Sequence, residues 1–389
     1  MKRYLESLIV EQVNRALALK ALIPYPLKYP ELTGLASRST SILDEQIQIL
    51  KTLQPELRGR DEDDLRDIFR DMRICSNFIS LVEYYGIFAL YYQTPEIGFL
   101  NKLIFKISQE IRLPFPHPSV CCTGTMYYFS HPFTNVIFTP LTEAQFLLHM
   151  PDLYHEIGHF VLENMKSELR LKSVGNGYEM AFSRVTDYYT QLIKNKRDES
   201  GPEQISMVIE RLHSHWKSWI IEFFCDLFAL FTVGPAYAWS HLHLTMKRSV
   251  DIHELSVIQQ THPSDESRMR ILLIGLKRLG FEDEAERIKS KWSEATRFWG
   301  LPASEYQYAY PDTLLEDIVG LIIDGLKQSG VSVFPSESSS KNDGGIRALL
   351  NEAWKVFWET EPEGFRNWEQ HHVESLRTSL QVEATQSAT

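Results

Sequence analysis

Residues 219–239 read WIIEFFCDLFALFTVGPAYAW, the most apolar stretch of the chain. Its length approaches the ~20 residues that span a bilayer, so it must either cross a membrane or fill a core. Two acids decide between these. Glu222 and Asp226 lie inside the run, and a carboxylate near a membrane centre costs a few kcal/mol. Gly234-Pro235 also breaks the run near its end. The pattern predicts a buried core helix with both acids on one face, and no stable membrane span.

The rest of the chain is organised around helical patterns. Residues 1–110 predict an N-terminal helical region, with a stripe at Leu5, Leu8, Ile9 and Val13 and further helices over 41–53 and 62–92. Pro24, Pro26 and Pro30 interrupt the first of these. The main β signal lies at 123–129 and 135–139, two short strands joined through Ser130-His131-Pro132. Helices resume at Thr142, where Thr142 and Gln145 fit a capping box. More are expected over 151–165, 178–194, 203–232, 235–247, 267–278, 282–297 and 312–328. Residues 334–345 (FPSESSSKNDGG) read as a linker. A helical piece over 346–358 and a frayed tail end the chain. The fold class expected is mainly α, an α+β helical bundle with a small sheet or hairpin. The expected division is 1–110, a core over 111–300, a helical extension over 301–333, the linker, and a C-terminal piece over 346–389.

Composition narrows the function. The net charge is −11, from 40 Lys+Arg against 51 Asp+Glu. That argues against nucleic acid, whose binding needs a positive field. Cys75, Cys121, Cys122 and Cys225 contain no C-x-x-C spacing, so neither a zinc ribbon nor a thioredoxin-type site is indicated. The first residues lack a signal-peptide core, and a cytoplasmic protein with reduced thiols is expected.

The chemistry-bearing segment is His155-Glu156-Ile157-Gly158-His159, an H-E-x-x-H pattern on an expected helix. Residues i and i+4 share a helix face. His155 and His159 can therefore aim ring nitrogens at one zinc ion, with Glu156 placed to take a proton from an activated water. Three titratable groups on a helix with apolar flanks are costly unless paired or bound to metal. Glu222 is the candidate third ligand. Asp226, one turn on, is the candidate hydrogen-bond partner of a ligand histidine's other nitrogen. His213, His215, His241 and His243 alternate at spacing two, which splays them apart on a helix; most are expected at the surface. A third segment, Thr261-His262-Pro263-Ser264-Asp265-Glu266-Ser267-Arg268, opens a helix capped by Ser264 or Asp265.

H-E-I-G-H, then E-F-F-C-D, then H-P-S-D-E-S-R together resemble the gluzincin metallopeptidases. The likeness is greatest to the family of the CAAX prenyl proteases and bacterial heat-shock membrane proteases, and covers roughly residues 135–275. The long interval between His159 and Glu222 suits that family better than the thermolysin-like gluzincins. The resemblance implies one Zn2+ per chain on His155, His159 and Glu222, with Glu156 as general base and Asp226 behind the ligands. It implies a substrate or oxyanion contact for His262 and scaffold pairing for Arg268. Those relatives are integral membrane enzymes, so this chain resembles a soluble, divergent member with a peptide or protein substrate. Tyr154 and Tyr237 are further candidates for the oxyanion donor. Strand 135–139 is a candidate edge for peptide addition. A zinc hydrolase of a non-peptide bond, a zinc-binding regulatory or interaction protein, and gating by a regulatory protein partner stay open.

Overall fold

The computed structural model describes residues 2–27, 29–60, 65–122, 127–140, 142–198, 203–247, 251–255, 261–335 and 345–386. They are mainly helical with one small sheet, the class expected. The chain forms two compact units: Met1–Phe105 with Pro116–Ala144, and Lys106–Phe115 with Gln145–Thr389.

The first unit begins with α1 (Lys2–Leu22), α2 (Thr33–Gly59) and α3 (Arg66–Leu81). A π-helical turn over Val82–Ile87 carries α3 into α4 (Phe88–Tyr91), and α5 (Pro95–Glu110) follows. The 3.6-residue period explains their packing. α2 buries Leu35, Ile42, Leu43, Ile47, Leu50, Leu53 and Leu57, spaced by threes, fours or sevens apart from the adjacent pair Ile42 and Leu43. These meet Leu5 and Ile9 of α1 and Ile68, Met72 and Ile79 of α3 in one apolar core.

The sheet of this unit contains β1 (Ser119–Cys122), β2 (Phe129–His131) and β3 (Val136–Thr139) in the order β1-β3-β2. β1 runs parallel and β2 antiparallel to β3. Two strand expectations change. β1 was not anticipated; its four residues follow a proline run and give no alternation to read. Asn101 holds it, accepting from the Val120 N–H at 2.8 Å and donating to its carbonyl at 2.9 Å. Within the expected strand 123–129, residues 123–126 lie outside the described residues, and β2 begins only at Phe129. β3 is bonded on both sides, so it is not an edge free to receive a peptide.

A 3-10 turn over Glu143–Gln145 ends the first unit, and a second, Leu147–His149, opens the other. An α-helix was expected from Thr142, but Pro151 lies ahead and the first regular helix, α6, spans Asp152–Asn164. α7 (Lys172–Asp198), α8 (Glu203–Val233), α9 (Pro235–Lys247), α10 (Asp265–Arg278), α11 (Glu282–Thr296), α12 (Tyr306–Ala309), α13 (Asp312–Gln328), α14 (Ile346–Glu359) and α15 (Pro362–Gln386) follow. α8 is central, packing on α6, α7, α9, α10, α13 and α14. Its apolar run is core: residues 222–240 are all buried. Gly234, at φ +76°, stops α8, and Pro235 starts α9 where its missing N–H is no loss. Among the described residues, a different run, Arg66–Tyr91, is long and apolar enough to cross a membrane, with mean hydropathy 1.2 and 39% of that window buried.

The compact units do not follow the expected boundaries. Cys121, Val136 and Phe138 of the sheet join the core of α1–α3, and α13, expected in an extension, packs on α7, α8 and α10. Of the expected linker, residues 336–344 lie outside the described residues. α15 was also unanticipated, because its buried anchors Phe365, Val373 and Leu380 are sparse.

Candidate metal centre

α6 places His155 and His159 one turn apart, and α8 does the same for Glu222 and Asp226. The two helices meet at Gly158. A Cβ there would sit 2.9 Å from the Cys225 Cα, closer than atoms can pack. Glycine inside the H-E-x-x-H segment thus lets the histidine and acid faces approach.

Two ligand-type contacts converge on the Glu222 carboxylate. His155 Nε2 lies 3.4 Å from Glu222 Oε2, and His159 Nε2 lies 3.9 Å from Oε1. Ligand atoms about 2.0–2.1 Å from a tetrahedral zinc are roughly 3.3 Å from one another, so these spacings suit a shared ion. Glu222 Oε2 is buried without a hydrogen-bond partner, a state that a cation would relieve. His262 Nε2 is 3.6 Å from the same oxygen, and its side chain is 62% exposed, at the solvent side of the group. Donor atoms of His155, His159 and Cys225 also lie within 4.8 Å of one another. The second unit therefore holds a buried group able to bind a metal ion.

Behind His155 lies a closed ionic network. Asp226, wholly buried, faces His155 Nδ1 at 2.9 Å through Oδ1. Arg268 donates to both carboxylate oxygens, Nε to Oδ2 at 2.8 Å and Nη2 to Oδ1 at 2.6 Å. Such a fork is the strong form of the pair. Tyr237 donates to Oδ1 at 2.5 Å. With acceptors at Nδ1, a His155 proton belongs there, and on binding a metal Nε2 is the nitrogen that would give up its proton and present a lone pair.

Electrostatics favour a cation at this place. Burial works against the charged carboxylates, yet the facing His155 brings Glu222 down to about 2. Burial likewise opposes Asp226, but Arg268 holds it well below the usual range. His155 is resisted by burial and still raised to about 10 by Asp226 and Glu222. His159 is lowered to about 4 by burial and by the His155 charge. One positive charge is thus favoured between the carboxylates, and a metal ion meets the same demand. The Cys225 thiol is pushed far up by burial and by Glu222, Glu156 and Asp226, which disfavours its free thiolate.

The other candidates fall out as follows. Glu156 is buried on α6, one residue from His155. The Tyr154 hydroxyl is wholly buried without a hydrogen-bond partner, with Glu110 and Arg347 as its charged neighbours. The Tyr237 hydroxyl spends its proton on Asp226 and faces His155 Nδ1, which removes it as an oxyanion donor. His241, expected at the surface with its neighbours, is buried, bonded to the Asp265 carbonyl at 3.0 Å and stacked on Trp292. His213, His215 and His243 are half-buried against Tyr189, Trp219 and Trp354. Helical spacing had splayed them correctly but says nothing about which neighbour covers each face. Cys225 has no C-x-x-C partner to signal a metal role, and its approach to the histidines depends on the Gly158 crossing. In comparisons with family models, curated proteins and solved structures, nothing matches this chain.

Proposed function

We propose that this chain is a zinc metallopeptidase, a divergent relative of the CAAX prenyl protease and heat-shock membrane protease family. One observation carries the reading: two imidazole Nε2 atoms face the oxygens of one buried carboxylate at 3.4 and 3.9 Å, and one of those oxygens has no hydrogen-bond partner. His155, His159 and Glu222 would hold the metal. When bound, zinc supplies a Lewis acid and an acidified water. Glu156 takes the proton of the attacking water and returns it to the leaving amine. Asp226 fixes His155, and Arg268 neutralises Asp226. His262, largely exposed beside Glu222, contacts the substrate carbonyl as charge develops on its oxygen. The substrate is a peptide or protein. All four cysteines are free thiols, which supports the cytoplasm as the location.

The test combines metal analysis with proteome-wide cleavage profiling of wild type against Glu156→Gln. About one zinc per chain is expected in both proteins, with cleavage lost only in the variant. Absence of zinc, or identical cleavage by both, overturns the proposal.

A second reading draws on the nearness of Cys225. With Cys225 as a fourth ligand the site would be closed and structural, as in a zinc-stabilised interaction protein. Cobalt substitution separates the two, since only a cysteine ligand produces a thiolate-to-cobalt charge-transfer band.

A further inference from the structure

We propose that Tyr237 is a positioning residue for the metal ligand His155, an inference that rests on the metal site proposed above. Tyr237 belongs to α9, outside both helices that carry the H-E-x-x-H and E-x-x-x-D segments. Its hydroxyl sits where three groups meet. It donates to Asp226 Oδ1 at 2.5 Å, accepts from Arg268 Nη2 at 3.2 Å, and lies 2.9 Å from His155 Nδ1. A hydroxyl has one proton to give and two lone pairs to offer. The short bond to Asp226 uses the proton, so a lone pair is what His155 Nδ1 meets.

The His155 N–H therefore faces two oxygens, Asp226 Oδ1 and the Tyr237 hydroxyl, each at 2.9 Å. A second acceptor strengthens the preference for the proton at Nδ1 and keeps Nε2 free as a donor atom. The two rings also lie nearly parallel, with an interplanar angle of 18° and centroids 5.9 Å apart. Rotation of the imidazole would carry it out of that stack and away from both acceptors. Asp226 and Arg268 alone set the charge behind His155; Tyr237 sets its direction.

The experiment measures zinc affinity by chelator competition, and the visible spectrum of the cobalt-substituted protein, for wild type, Tyr237→Phe and Tyr189→Phe. Tyr189 is the control. It is another buried tyrosine whose hydroxyl is bonded, donating to the Tyr308 carbonyl and accepting from Trp216 Nε1, both at 2.9 Å. Loss of either hydroxyl removes a buried hydrogen bond, but only Tyr237 touches His155. Tyr237→Phe should weaken zinc binding about 10-fold, the lower end for losing a ligand's hydrogen-bond partner, and should shift the cobalt bands. Tyr189→Phe should do neither. Wild-type affinity and an unchanged cobalt spectrum in Tyr237→Phe overturn the inference, as does an equal loss in Tyr189→Phe. Should Tyr237→Phe not fold, 3-fluorotyrosine at position 237 keeps the hydroxyl in place and makes it more acidic at the cost of one small ring fluorine; unchanged cobalt bands then overturn the inference. A wild type that binds no zinc overturns instead the metal site itself, and the inference with it.

Discussion

The two units bury very different things. Among the described residues, Glu143 is the charged side chain buried in the first unit, where Tyr128 donates to it. Its core is otherwise mainly leucine and isoleucine, with valine, Met72, Phe99, Phe138 and a few small or amide side chains. The second unit buries Glu156, Glu222, Asp226 and Arg268 together with His155. Each buried ion carries a desolvation penalty of several kcal/mol unless partners answer it. A fold that gathers such groups at one helix crossing has a use for them there. Asp152, Asp265, Arg347 and Glu369 are buried in the second unit as well, so the contrast agrees with the motif without replacing it.

Arg268→Met should break the contrast most strongly. It strips the buried Asp226 of its fork and should lower stability by about 3–5 kcal/mol. Urea unfolding followed by tryptophan fluorescence reads this directly, because all 8 tryptophans fall within Gln145–Thr389. In the first unit, Leu43→Ala removes a fully buried side chain and should cost about 2–5 kcal/mol. Hydrogen exchange should register that loss in α2, while zinc affinity stays at the wild-type value. Glu222→Ala should weaken zinc binding by roughly 100-fold or more, beyond the 10–100-fold typical of groups behind a ligand; full zinc occupancy in this variant would remove Glu222 from the ligand set. The smallest effect is with acid. Glu222 is held near 2, below its ordinary 4.5. It therefore contributes stability above pH 4.5 and loses it as pH falls towards 2. In the chelator-treated protein, Glu222→Gln should flatten the acid side of the stability profile.

Much of the second unit could be read in advance. α8 was expected over 203–232 and spans Glu203–Val233; α9 and α13 match their expected ranges residue for residue. Strong local signals lie behind this: long apolar periods, Gly234-Pro235 as punctuation, and Asp312 in the first turn of α13. Weak elements escaped. β1 has no room for alternation, and α15 has few apolar anchors. The capping pair Thr142 and Gln145 was present, but only 3-10 turns formed there.

Within the site the division is the same. The chain alone determined that His155 and His159 share a face, and that Glu222 and Asp226 share another, because a helix repeats every 3.6 residues whatever surrounds it. Only the tertiary structure decided that these faces meet, that Gly158 sets their distance, and that Cys225 and Tyr237 join them. It also placed β3 at the centre of its sheet and buried His241. Each of these depends on contacts between residues far apart in the chain, where no local period operates and the packing of whole helices selects the neighbour.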